Sequence, residues 1–262
     1  GVWGSGRPVI CLLAEFDALY GLSQEADVAE YKPIEGMATG HGCGHHLLGV
    51  GSIAAAMIVK DYLEKNKLPG TIKMVGCPAE ESGSGKAYLA RDGFFADADA
   101  AITWHPSALN VVSSGSHQSC IQCYFRFHGV SSHAAGNPEA GRSALDACEL
   151  MNVGSNYLRE HVADDVRMHY TYTNTDGPAN IVPAYASTNY FIRSNKWERT
   201  EDASERVDNC ARGAALMTGT RVEIERVTCN KEMKVNRTLS ETFYEEMQKI
   251  PVPVYTDDEM KF

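Results

Sequence analysis

The chain has 262 residues, 44% of them apolar and 22% charged, enough for one large domain or two ordinary ones, and this composition excludes a disordered polypeptide. A net charge of −10 without any basic cluster excludes nucleic acid and an anionic membrane surface as partners. No apolar run is expected to be long enough to span a bilayer, no secretory leader is read, and the eight scattered cysteines read as free thiols suited to a reducing cytoplasm.

Pro8–Leu13 is a short continuous apolar run, the pattern of a central strand covered on both faces, and it ends in Ala14-Glu15-Phe16-Asp17. Residues 21–39 are polar and mixed, a loop leading to Gly40-His41-Gly42-Cys43-Gly44-His45-His46. Cys43 and His45 are two apart, so a regular helix would throw them to opposite sides, and both reach one ion only from a bent backbone. The three glycines permit that bend at low steric cost. A thiolate, imidazoles and carboxylates together suit Zn²⁺ or a similar borderline transition metal. The plainer reading of this stretch alone is a glycine turn with a buried thiol and surface histidines. From Leu47 to about Lys65 the chain reads as an apolar, small-residue helix buried nearly all round.

Thr71–Gly76 is the next strand and ends in Cys77-Pro78-Ala79-Glu80-Glu81; a helix from Lys86 to about Asp92 follows. Asp99–Trp104 is a third strand, ending in His105-Pro106. Three strands separated by helices thus each deliver polar residues just past their carboxyl ends, the place where open α/β sheets bind ligands. Asp17, Cys43, His45, Glu80, Glu81 and His105 converge there.

After Ser113 the character changes. Ser119–Phe127 alternates like an antiparallel strand, 129–141 is a loop holding His133, and Ser143–Val162 is an amphipathic helix. Arg167–Thr175 and Tyr185–Arg193 are strands, Glu201–Thr218 a helix stopped by Gly219, and Arg221–Val227 a last strand. Strand, helix, two strands, helix, strand makes a small α+β domain of the split βαβ type. Thr238-Leu239-Ser240-Glu241 reads as a capping box for a final helix.

Ala14-Glu15-Phe16-Asp17-Ala18-Leu19, Cys43-Gly44-His45, Pro78-Ala79-Glu80-Glu81, Trp104-His105-Pro106, Ser132-His133-Ala134-Ala135 and Asn180-Ile181-Val182-Pro183, in this order, resemble the M20 metallopeptidase and amidohydrolase family, and within it the group acting on p-aminobenzoyl-glutamate. The resemblance implies a metal-binding α/β catalytic domain, here incomplete, with an inserted α+β ferredoxin-like lid and dimerisation domain. The expected boundaries are 1–115 for the first part of the catalytic domain, 116–228 for the lid and 229–262 for the return. The family carries a further metal-binding His near its C-terminus; no His follows His169 here, so the sequence reads as part of a longer chain.

By the same resemblance, two divalent ions, Zn or Mn, would be held by Cys43, His45, Glu81 and His105, with Cys43 bridging. Glu80 would be the general base and Asp17 a carboxylate that orients a ligand. His133 would reach the substrate from the lid of the partner subunit, and Asn180 and Arg193 would be lid contacts to its carboxylate or carbonyl, although an Arg on a strand is more commonly a solvated edge charge. The implied reaction is hydrolysis of the amide of an N-acyl amino acid such as p-aminobenzoyl-glutamate by a cytoplasmic homodimer or a heterodimer with a related subunit. A dipeptidase of the same family, or a non-catalytic metal-binding and dimerisation fragment, is the alternative.

Overall fold

The computed structural model describes residues 1–175 and 177–261, with Ser82 and Gly83 described by backbone alone. The chain separates into two compact units. The first comprises Gly1–Val112 and the residues from Phe243 onward; the second is Ser113–Thr242.

The first unit contains β1 (Val2–Ser5), β2 (Val9–Glu15), β3 (Leu19–Tyr20), β4 (Thr39–Gly40), α1 (His45–Asn66), β5 (Gly70–Cys77), α2 (Glu80–Gly83), α3 (Gly85–Arg91) and β6 (Ala100–Ile102). Its main sheet has the order β1-β5-β2-β6. β5, β2 and β6 run parallel and β1 closes one edge antiparallel. The apolar run of β2 takes a central position, as its sequence demands, with Cys11, Leu12 and Ala14 buried. The carboxyl ends of the three parallel strands share one edge, and Glu15, Cys77 and Ile102 lead into the loops there.

α1 differs from expectation in two ways. Only His45, Leu48 and Ser52 are buried on it, and Ser52 Oγ donates to the β2 carbonyl of Leu13 at 2.9 Å. Leu47, Val50, Met57 and Ile58 face outward, each more than half exposed. An apolar sequence reports which side chains disfavour water; it does not supply a neighbour, and α1 rests on the sheet by one face. At 22 residues α1 is also, by length and composition, apolar enough to cross a membrane, contrary to expectation, because its charges are held back to Lys60 and beyond.

The second unit contains β7 (Ser119–His128), α4 (Ala144–Leu158), β8 (Arg167–Asn174), β9 (Tyr185–Ser194), α5 (Trp197–Thr218) and β10 (Arg221–Asn230). All its strand pairs are antiparallel, in the order β10-β7-β9-β8, so β9 lies between β7 and β8. Alternation on β7 puts Ile121, Cys123, Phe125 and Phe127 on one buried face. They share a core with Ala147, Cys148 and Met151 of α4 and Ala203, Val207, Ala211 and Ala214 of α5. Ser143 caps α4 by accepting from the Asp146 amide at 3.1 Å, and Gly219 ends α5 in the left-handed region.

The segments leading into β7 and out of β10 are neighbours. Cys120 is opposite Asn230 in the ladder, and Ser116 Oγ donates to the Met233 carbonyl at 2.6 Å. These contacts keep 229–242 with the second unit, where the sequence places the return to the first domain at 229. α6 (Arg237–Met247) crosses the division between the units. Its cap is Asn236, whose Oδ1 accepts from the Leu239 amide at 3.1 Å, two residues before the expected Thr238.

Candidate metal centre

Asp17, two residues past β2, ties two other segments to the strand end. Its Oδ2 accepts from the Glu81 amide at 3.0 Å, while its Oδ1 and carbonyl oxygen each lie 3.1 Å from His45 Nδ1. Both partners of Nδ1 can only accept, so Nδ1 carries the proton and Nε2 is the nitrogen left over. His45 opens α1 directly after Gly44, which has φ +71°; a Cβ on Gly44 would lie 2.7 Å from Pro106 Cγ. The turn bearing Cys43 and His45 can therefore press against the loop bearing His105 only with glycine at this position. Glu80 and Glu81 open α2 after Ala79, itself at φ +54°.

The side chains meet around His45. One ligand atom each from Cys43, His45 and His105 lie within 4.8 Å of one another, as do those of Glu15, His45 and Glu80. The rings of His45 and His105 are edge-to-face at 5.7 Å. His45 Nε2 is 3.1 Å from Glu15 Oε2 and 3.9 Å from both Glu80 Oε2 and Glu81 Oε1. Among the described residues, His45 Nε2, Glu15 Oε2 and Glu81 Oε1 are buried and lack a hydrogen-bond partner. Buried polar atoms are rarely left so, and three around one point are what a cation-binding cradle presents.

The local charge agrees. The Cys43 thiol is pushed up to about 11, first by its hydrogen bond to Glu81, then by burial and the charges of Glu81, Glu80 and Glu15. A divalent cation would reverse this, since a coordinating thiol is held deprotonated. Glu80 is raised above the usual carboxylate range by burial and the charge of Glu15, with Lys86 opposing, although 41% of its side chain stays open. A thiol, two imidazoles and carboxylates fit Zn²⁺ and its neighbours among the first-row metals.

Sequence reasoning missed Glu15. It closes β2 at 5% exposure, with Oε1 in an ion pair with the Lys86 ammonium. A carboxylate ending an otherwise apolar, doubly covered strand was the available signal, because such a charge must find a counter-charge.

In the second unit His133 and Asn180 come together: residue 133 bridges Ile181, and the Ala134 amide donates to the Asn180 carbonyl at 3.0 Å. His133 Nδ1 accepts from the amides of Ala135 and Gly136 at 3.2 and 2.9 Å, so the ring proton sits on Nε2. Arg193 is apart from them. It pairs with Cys120 at one end of β9, whereas Tyr185, facing His128, marks the other end, on the order of 25 Å away along the strand. Its guanidinium lies 5.1 Å from the Phe191 ring.

The profile of Peptidase family M20/M25/M40 matches residues 11–259. The chain is 43% identical over 261 residues to one of the subunits of p-aminobenzoyl-glutamate hydrolase from Escherichia coli (strain K12), covering 99% of this chain and 54% of that one. The chain thus spans about half the length of the curated relatives it matches. Among solved structures, an aminobenzoyl-glutamate utilization protein from Klebsiella pneumoniae aligns with TM-score 0.71 at 22% identity, over 95% of this chain and 59% of its own. The Bacillus subtilis YXEP protein, described as a dinuclear metal binding peptidase from the M20 family, aligns with TM-score 0.65 at 18% identity, over 95% of this chain and 65% of its own. At these identities the two structures show a common fold.

Proposed function

Because the chain belongs to Peptidase family M20/M25/M40, we propose that it carries the metal centre of an amide hydrolase acting on an N-acyl amino acid such as p-aminobenzoyl-glutamate. The observation that carries this reading is the meeting of the Cys43, His45 and His105 ligand atoms beside three buried, unpartnered polar atoms. Cys43, His45, Glu81 and His105 would hold two divalent ions, Zn or Mn. When bound, such ions lower the pKa of a water and polarise the amide carbonyl.

The chain's own groups do the rest. Asp17 orients His45 and fixes the Glu81 backbone. Glu80, 41% of whose side chain stays open, takes the proton of the attacking water and returns it to the leaving nitrogen. The second unit serves as a lid and as the pairing surface with a second copy or a related polypeptide. The latter is supported by the Escherichia coli relative, which is one subunit of its hydrolase. His133, whose Nε2 carries a proton, is suited to donate it to a substrate oxyanion from the lid of a partner copy. Asn180 meets a polar group of the substrate from beside His133, whereas Arg193, at the other end of β9, is too distant along the strand to share that molecule within one chain. Eight free cysteines support a cytoplasmic setting.

Metal content after dialysis against Zn²⁺ or Mn²⁺ tests the centre: bound metal is expected, and its loss is expected in Cys43→Ser and His45→Ala. A wild-type chain that holds no metal overturns the reading. Glu80→Gln is expected to keep its metal and to release p-aminobenzoate about 10²–10⁴-fold more slowly than wild type. Loss of metal in that variant would exchange the roles of Glu80 and Glu81.

A further inference from the structure

We propose that Glu15 is a further metal ligand of this centre, with its carboxylate shared between the ion and Lys86. The inference rests on the reading of the cleft as a metal centre and adds to the ligand set a residue to which the motifs assigned no role.

A carboxylate at 5% exposure has to be neutralised or coordinated. Lys86 satisfies one oxygen, Oε1. The other, Oε2, points at His45 Nε2 from 3.1 Å without making a hydrogen bond. The proton of a neutral His45 is already engaged at Nδ1 by Asp17. Two lone pairs therefore face each other at 3.1 Å in a buried place, an arrangement that repels unless a positive charge lies against both. Donors about 2.0–2.1 Å from one ion, at tetrahedral or octahedral angles, sit roughly 2.8–3.4 Å apart. The Glu15–His45 separation falls in that interval, whereas the 3.9 Å separations of His45 from Glu80 and Glu81 exceed it. Lys86 then has a definite task. It holds the carboxylate by its far oxygen, fixing the direction of the near one, and it offsets the negative charge gathered by Glu15, Glu80 and Glu81.

The competing arrangement places a proton between Glu15 and His45 and leaves Glu15 off the metal. Zn²⁺ and Co²⁺ alone discriminate the two. Stoichiometry and affinity are read by competition with a chromophoric chelator, and the coordination sphere by the visible spectrum of the Co²⁺-loaded chain. Glu15→Gln is expected to weaken Zn²⁺ binding more than about tenfold and to shift the Co²⁺ ligand-field bands, while the thiolate charge-transfer band from Cys43 persists. Should Glu15→Gln fail to fold by circular dichroism, Glu15→Asp keeps the charge and the Lys86 partner but shortens the reach by one methylene; it too is expected to shift the Co²⁺ bands. Wild-type affinity and an unchanged Co²⁺ spectrum in the variant that folds overturn the assignment of Glu15 and leave the metal centre standing. A wild-type chain that binds neither ion overturns the centre itself, and this inference with it.

Discussion

Asp17 controls more of the site than its single carboxylate suggests, because it meets His45 with one oxygen and the Glu81 amide with the other. Asp17→Ala frees the ring to turn and leaves a buried donor unpaired, so metal affinity is expected to fall about 10–100-fold in a chelator competition while overall structure persists. Asp165 is a second residue whose role is electrostatic. The Asn195 amide at 2.9 Å and the Ser194 hydroxyl at 2.8 Å, with Arg199 beyond, hold its carboxyl down at about 2. A carboxyl depressed on folding stabilises above its unfolded pKa, and the gain is lost as pH falls from about 4 through about 2. Asp165→Asn is thus expected to lower the urea midpoint at neutral pH, the deficit shrinking as pH falls from about 4 through about 2. Residue chemistry is largely legible in the sequence where it falls in compact motifs, as at Cys43 and His45. It is not legible at Glu15, whose partner Lys86 lies 71 positions along the chain and reads in the sequence only as the start of a helix.

Two glycines separate backbone necessity from mere tolerance at the scale of elements. Gly44, at φ +71° and against Pro106, joins the start of α1 to the loop of His105. Gly44→Ala is expected to cost about 1–2 kcal/mol for the left-handed backbone alone and to weaken metal binding by moving His45 away from His105. Gly213 lies within α5 with nothing within 4 Å of where its Cβ would be. Gly213→Ala is expected to stabilise the chain by about 0.5–1 kcal/mol, read as a rise in urea midpoint with unchanged metal content. Elements announced by long periodic or apolar runs, such as β2, β5, β7 and α5, are readable from those runs. β1 is not: four residues on a sheet edge carry no periodicity, and Gly4 is there because a Cβ would lie 2.2 Å from the Gly70 carbonyl oxygen. The outer face of α1 escapes a reading from sequence because burial depends on neighbours that composition does not name.

At the scale of the whole molecule, the second unit is interposed between two stretches of the first. Its core is its own, closed by two helices on one sheet face. Residues 113–242 produced alone are expected to unfold in a single cooperative urea transition, with circular dichroism and tyrosine fluorescence coinciding; non-coincident transitions would contradict this. The hydrogen bond from Ser116 to Met233 holds together two segments of the unit that lie towards its two chain ends. That adjacency makes the unit a cassette. A short linker spans the segments joined at Ser116 and Met233, and the entropy of closing a loop rises slowly with its length. Exchanging this unit between relatives, or lengthening the loop that holds His133, leaves the paired segments at Cys120–Asn230 and Ser116–Met233 unchanged. Variation in that loop is thereby uncoupled from the parallel sheet of the first unit, and the two units are free to change at different rates.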